Sequence, residues 1–347
     1  MRKNVSLLQI FVQINVAISY KFVQKNVDMK RNVLSKLIDW KNKKNRKPLI
    51  LNGARQVGKT YILREFGSQC YEKMAYVNCD KNKMLEKIFS QDYNISRILL
   101  SLSAILHVNI EPGNTLIIFD EIQESPTVLN SLKYFCEDAP QYHVAVAGSL
   151  LGISLHNNTS FPVGKVDMIK MYPMTFDEFL MAIGEQPLVD ILATKDFSII
   201  DSLSVRFIDC LRQYYYVGGM PAAVAEFAST KNLEEVRNIQ KQILFDYRRD
   251  FSKHAPSQEV PRINMVWDSI PAQLAKENKK FIFGALKKGA RASEFEIAIQ
   301  WLLDAGLIYQ INRITTPSIP LKFYEEMSVF KLFVLDIGLM GAMSDAP

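Results

Sequence analysis

Apolar and polar positions along the chain fall into blocks whose period switches between that of a strand and that of a helix. Val33 to Trp40 repeats at helical spacing, and Lys41 to Lys47 is a polar, basic connector. Pro48 then opens the apolar run Leu49-Ile50-Leu51, which predicts a short buried strand. Tyr61 to Phe66 predicts a helix stopped at Gly67, and Ala75 to Cys79 a second strand. Thr115 to Phe119 lacks polar alternation, as a strand covered on both faces would. Ser125-Pro126 marks a helix start, with Ser as N-cap and Pro in the first turn, and that helix should run to about Cys136. Tyr142 to Ala147 is a further strand. Strands alternating with helices predict a parallel sheet with helices on both faces.

Beyond Tyr172 the pattern turns helical, with Thr175 to Ile183, Ser202 to Tyr215 and Leu233 to Phe251 as the clearest segments. From about Ser257 a third region begins. Ser293 with Glu296 has the spacing of a capping box, ahead of apolar Phe295, Ala298, Ile299 and Leu302, and Gly306 is placed to end that helix. Leu307 to Ile314 and Leu321 to Tyr324 read as two strands around Thr316-Pro317-Ser318. Helices followed by a hairpin predict a winged helix. No internal repeat or low-complexity tract interrupts the pattern.

Charge changes the picture only at the start of the chain. The net charge is +6, but residues 1–47 carry twelve Lys or Arg against Asp28 and Asp39, a balance of +10, which leaves −4 for the rest. A basic whole-chain balance is therefore weak support for a nucleic-acid partner. Met1-Arg2-Lys3 and the apolar stretch Val5 to Tyr20 resemble a signal peptide. Gln9, Gln13 and Asn15 break that stretch, and a second start, Met29-Lys30-Arg31, precedes the first helix. Residues 1–28 are thus expected to be an upstream extension, with an amphipathic segment or an export signal as the alternatives. No apolar run approaches the roughly 18 residues of a membrane span. Cys70, Cys79, Cys136 and Cys210 form no CxxC pair, which argues against zinc and a disulfide framework and favours a cytoplasmic location.

Gly53-Ala54-Arg55-Gln56-Val57-Gly58-Lys59-Thr60 fits GxxxxGK[ST] at every fixed position, between a strand and a helix. Such a loop lets backbone N–H groups curl around phosphates, with the helix N-terminus behind them. Lys59 would reach the β- and γ-phosphates and Thr60 would offer a hydroxyl to Mg²⁺. The bland alternative is an ordinary glycine turn. The strand Leu116-Ile117-Ile118-Phe119 ends in Asp120-Glu121, 61 residues after Lys59. Asp120 is expected to hold Mg²⁺, directly or through water, and Glu121 to activate the attacking water. A solvent-facing acidic pair is the alternative. Ser149, after Gly148, could contact the water or the γ-phosphate, or simply cap a turn. Lys165, Arg206, Arg212, Arg248 and Arg249 are cations that could reach a phosphate from a neighbouring copy. No NKxD segment is present, which favours ATP over GTP.

With these residues in place, the chain resembles the prokaryotic AAA-type ATPases that carry a C-terminal domain of unknown function. The matching pieces are GARQVGKT (53–60), IIFDEIQ (117–123), AGSLLG (147–152) and YPMTFDEFL (172–180). They continue with YYVGGMPAAV (215–224), YRRDFSKH (247–254), WLLDAGLI (301–308) and FKLFVLDIGLM (330–340). The resemblance covers about 30–340. It implies an AAA+-like P-loop NTPase fold of class α/β, a helical lid and a winged-helix unit, and a sensor role for Ser149. The expected division is an ATPase domain over 29–171, a lid over 172–256 and a winged-helix-like region over 257–347. Two departures stand out. Gly164-Lys165 replaces the family's Gly-Arg pair, which keeps charge but loses the planar fork. Relatives continue past the DIGL segment into an endonuclease-like fold, so the chain reads as a truncated member.

The C-terminal region has Lys276, Lys279, Lys280, Lys287, Lys288 and Arg291 as phosphate candidates, but its expected recognition helix carries Glu294, Glu296 and Asp304. Residues 257–347 hold ten basic and ten acidic residues. A protein-contact or lid-bracing module is therefore favoured over a DNA reader. Tyr214, Tyr215, Tyr216 and Trp301 read as core or interface aromatics. The function expected is Mg²⁺-dependent ATP hydrolysis coupled to movement of the C-terminal module. A nucleotide-gated switch with little turnover and an ATP-coupled DNA binder are the alternatives. A homo-oligomer and a protein partner are left open.

Overall fold

The computed structural model describes residues 29–149, 152, 161–276, 278 and 280–345. The upstream stretch 1–28, Leu150, Leu151 and Lys279 lie outside the described residues. Five strands form one parallel sheet: β1 (Leu49–Asn52), β2 (Lys73–Asn78), β3 (Thr115–Asp120), β4 (His143–Gly148) and β5 (Asp167–Lys170), in the order β2-β3-β4-β1-β5. Alternate residues of β1, β3 and β4 enter opposite cores. Leu49, Leu51, Leu116, Ile118, Ala145 and Ala147 face one, while Ile50, Ile117, Phe119, Val144 and Val146 face the other. Burial on both faces is what makes β1, β3 and β4 read as unbroken apolar runs.

On the first face lie α1 (Val33–Asn42) and α2 (Lys59–Cys70), through Leu37, Trp40, Ile62, Leu63 and Phe66. On the second lie α3 (Lys83–Phe89), α4 (Ile95–Leu106) and α5 (Pro126–Asp138). Helix α2 does not stop at Gly67. A Cβ there would lie 2.8 Å from the Met74 sulfur, so this glycine allows close packing inside the helix rather than ending it. Helix α5 starts at Pro126 as expected, but the Ser125 side chain makes no capping bond and lies 3.3 Å from the Thr127 hydroxyl.

The chain continues through α6 (Phe176–Ala182), α7 (Gln186–Thr194), α8 (Phe197–Ser202), α9 (Ser204–Val217) and α10 (Pro221–Thr230). Then come the long α11 (Leu233–His254), α12 (Val260–Leu274) and α13 (Glu296–Asp304). An antiparallel hairpin, β6 (Ile308–Ile314) with β7 (Glu325–Val334), precedes the last helix, α14 (Ile337–Met343). The first core runs without a break from the sheet into this part, through Ile243, Tyr247, Trp267, Trp301 and Leu339.

Two local expectations fail here. The cap sits two residues earlier than the Ser293–Glu296 pair: the Arg291 N–H donates to the Glu294 carboxylate at 3.2 Å, ahead of a 3₁₀ turn over Ala292–Glu294. Leu321–Tyr324 is a 3₁₀ turn as well, and the second strand starts only at Glu325. Gly306 does end α13, at φ +72° with its N–H on the Leu303 carbonyl.

Candidate nucleotide site

The loop 53–58 leaves the C-terminal end of β1 and turns into α2, where backbone amides converge at a helix N-terminus. Gly58 holds φ +94°, a left-handed conformation that a side chain would strain. Gly53 lies against the Met171 carbonyl, where a Cβ would collide. Both fixed glycines are therefore required by the backbone path itself.

Lys59 is buried, and its ammonium donates to the carbonyls of Gly53 and Ala54 at 2.9 and 2.8 Å. An ammonium has three N–H donors, so one remains for an oxygen placed in the loop. Burial lowers the Lys59 pKa to about 8, while the carboxylates of Glu121 and Asp120 oppose that fall. Thr60, one residue on, donates its hydroxyl to Asp120 Oδ2 at 2.8 Å. The lone pairs of that hydroxyl stay free for a cation.

Asp120 ends β3, next to the loop because β3 pairs with β4 and β4 with β1. Its carboxylate takes three donors: Thr60 and the Tyr76 hydroxyl, each at 2.8 Å on Oδ2, and the Glu121 N–H at 3.0 Å on Oδ1. Glu121 has φ +51°, which turns the chain sharply off the strand. Its Oε2 accepts from Gln123 Nε2 at 2.6 Å and from the Ser149 hydroxyl at 3.2 Å. The structure thus brings Lys59, Thr60, Asp120, Glu121 and Ser149 into one cluster at the C-terminal ends of β1, β3 and β4. A hydroxyl and a carboxylate are hard oxygen donors, which suit Mg²⁺, and the loop with its free ammonium donor suits a polyphosphate.

The candidate cations make other contacts. Lys165 pairs with Glu137 at 2.7 Å and sits at the opposite end of the sheet from the loop: Asp167, two residues on, is opposite Leu49, the first residue of β1. It cannot serve the loop of its own chain. Arg206 pairs with Glu185, Arg212 with Asp209 and Arg248 with Asp268. Arg249 lies over the Phe245 ring at 6.0 Å.

Residues 45–180 match a family model described as AAA domain, and residues 208–347 match a domain of unknown function, DUF8612. No curated protein matches the chain. Among solved structures, a Walker-type ATPase of Pyrococcus abyssi is similar in fold, with TM-score 0.58 and 13% identity over 93% of this chain and 97% of that one. The Thermotoga maritima RuvB Holliday junction branch migration motor superposes at TM-score 0.37 with 13% identity, over 84% of this chain and 93% of its own. The Aeropyrum pernix ORC1 protein in complex with DNA gives 0.34 and 13%, over 94% and 96%.

Residues 45–180 do not hold the loop alone. Arg31, which the sequence marked only as part of the second start Met29-Lys30-Arg31, donates to the carbonyls of Val57 at 2.9 Å and Tyr172 at 2.7 Å and pairs with buried Glu178 at 3.2 Å. From the other side, α11 of the C-terminal part reaches the loop's variable positions. Asp250 takes Arg55, Asp246 takes Gln56 at 3.0 Å, and the Tyr247 hydroxyl donates to the Arg55 carbonyl at 2.9 Å. Gly306 comes near enough that a Cβ there would sit 3.6 Å from the Ala54 nitrogen. Among the described residues, no helix is long and apolar enough to cross a membrane.

Proposed function

We propose that this protein binds ATP with Mg²⁺ through residues 53–60 and hydrolyses it, and that the C-terminal region responds to the loop. The observation that carries the reading is the convergence of Thr60, Asp120, Glu121 and Ser149 beside Lys59. In this reading the loop amides and Lys59 bind the β- and γ-phosphates, and Thr60 and Asp120 hold the metal. When bound, Mg²⁺ neutralises charge on the phosphate oxygens. Glu121 orients a water and takes its proton, and Ser149 fixes the Glu121 carboxylate. The contacts of Arg55, Gln56 and Tyr247 support coupling to α11, with 29–171 as the ATPase body, 172–256 as the lid and 257–347 as the responding, winged-helix-like module.

The test is a pair of substitutions. Lys59→Ala abolishes binding of a labelled ATP, and Glu121→Gln keeps binding but loses phosphate release. Normal hydrolysis by Glu121→Gln would overturn the assignment of the base. A nucleotide-gated switch with little turnover is the second reading. It is favoured by the two donors already on Glu121 Oε2, which occupy an oxygen that a water's proton would otherwise reach. Tight ATP binding with no phosphate release over hours would select it.

A further inference from the structure

Tyr76 lies on β2, opposite Ile118 of β3, and plays no part in any motif of the chain. Its hydroxyl donates to Asp120 Oδ2 at 2.8 Å, the oxygen that also accepts from Thr60. The ring is clamped from above by the Arg64 guanidinium, 3.7 Å from the ring centroid. Arg64 stands four residues after Thr60 on α2, so one helical face presents both the hydroxyl that meets Asp120 and the cation that fixes the tyrosine. Asp120 is buried, and no lysine or arginine donates to its carboxylate among the hydrogen bonds of the described residues.

We propose that Tyr76 is a positioning residue for the divalent cation: its hydroxyl fixes the Asp120 carboxylate in the orientation that, with the Thr60 hydroxyl, receives Mg²⁺. The inference rests on the reading of Thr60 and Asp120 as the metal-holding pair. Outer hydrogen-bond partners of metal ligands act by holding the ligand's orientation, and their loss costs about tenfold or more in metal affinity. A charge-assisted bond such as this one is among the stronger kinds. Tyr76→Phe removes the hydroxyl and keeps the ring under Arg64.

The experiment uses the full chain, a fluorescent ATP analogue and a Mg²⁺ titration, with Mn²⁺ electron spin resonance in the presence of ADP as a direct metal readout. For Tyr76→Phe, the expected result is a rise of about tenfold in the Mg²⁺ and Mn²⁺ concentrations for half-saturation. Affinity for the analogue in excess chelator should stay within about twofold. Tyr76→His, which keeps a ring and an N–H donor, should recover part of the loss. Metal curves that superimpose on the wild type would overturn the proposal, as would an equal loss of analogue affinity with and without metal. If the wild-type protein binds no nucleotide, the proposed function fails. If it binds nucleotide without any effect of Mg²⁺, only the metal-holding assignment and this inference fail.

Discussion

Arg55 and Asp250 are 195 residues apart and form an ion pair at 2.5 Å, joining the phosphate-loop sequence to the C-terminal part of α11. The two ends differ in setting. Arg55 is about half exposed, whereas the Asp250 side chain is 5% exposed and burial raises its pKa. Removing the arginine therefore leaves a buried carboxylate without its partner, which costs more than the exposed pair itself gives. Arg55→Ala should destabilise the protein by about 1 kcal/mol, and adding Asp250→Asn should restore most of it. Urea melts of the four members of this cycle measure the difference.

Arg31 is a stricter case. It and Glu178 are both about 4% exposed, and the guanidinium also binds the Val57 and Tyr172 carbonyls. Arg31→Ala should cost about 3–5 kcal/mol, as breaking a buried pair on one side does. Because Val57 belongs to the loop, ATP affinity should fall as well. Thermal denaturation together with binding of a labelled ATP checks both.

The depressed pKa of Lys59 sets a pH dependence. The free protein loses the ammonium proton near pH 8, while phosphate binding favours the protonated form, so binding takes up a proton above that point. Apparent ATP affinity should be flat below about pH 7. It should then drop as pH rises through about 8, approaching tenfold per unit. Lys59→Arg, which stays charged, should lose the pH effect in an anisotropy titration.

Asp336 ties the GGMP segment to the DIGL segment. Its Oδ2 accepts the Gly219 N–H at 2.6 Å and its Oδ1 the Leu339 N–H at 2.9 Å, capping α14 and pinning the turn before α10. Asp336→Ala strands two buried N–H groups and should cost about 2–4 kcal/mol. Burial raises its pKa from 3.8 to about 6, so the folded state binds this proton more tightly than the unfolded chain. Its contribution to stability therefore falls as pH rises from about 4 to about 6 and is constant above. Comparing melting temperatures of wild type and Asp336→Asn across that range isolates the effect.

The sequence by itself determined the parts whose signal is local. The glycines at 53 and 58, the lysine and threonine that follow, and the two acids closing an apolar strand all stand within a few residues of the backbone feature that needs them. The same holds for β1, β3 and β4, which read as apolar runs because both their faces are buried, and for Gly306, whose positive φ ends a helix. Tertiary structure decided the rest. Strand β5 is four residues long at a sheet edge, with intermediate and exposed positions alternating, so no apolar run announces it. Leu321–Tyr324 has a strand's composition but takes a 3₁₀ turn before β7. Gly67 looks like a helix stop until Met74 is seen packed against it. What Arg31, Tyr76, Asp250 and Asp336 do is not written in their neighbours, because each acts on a partner between 26 and 195 residues away. Their roles follow from which side chains a folded core brings within hydrogen-bonding distance, and one residue's local sequence does not encode that.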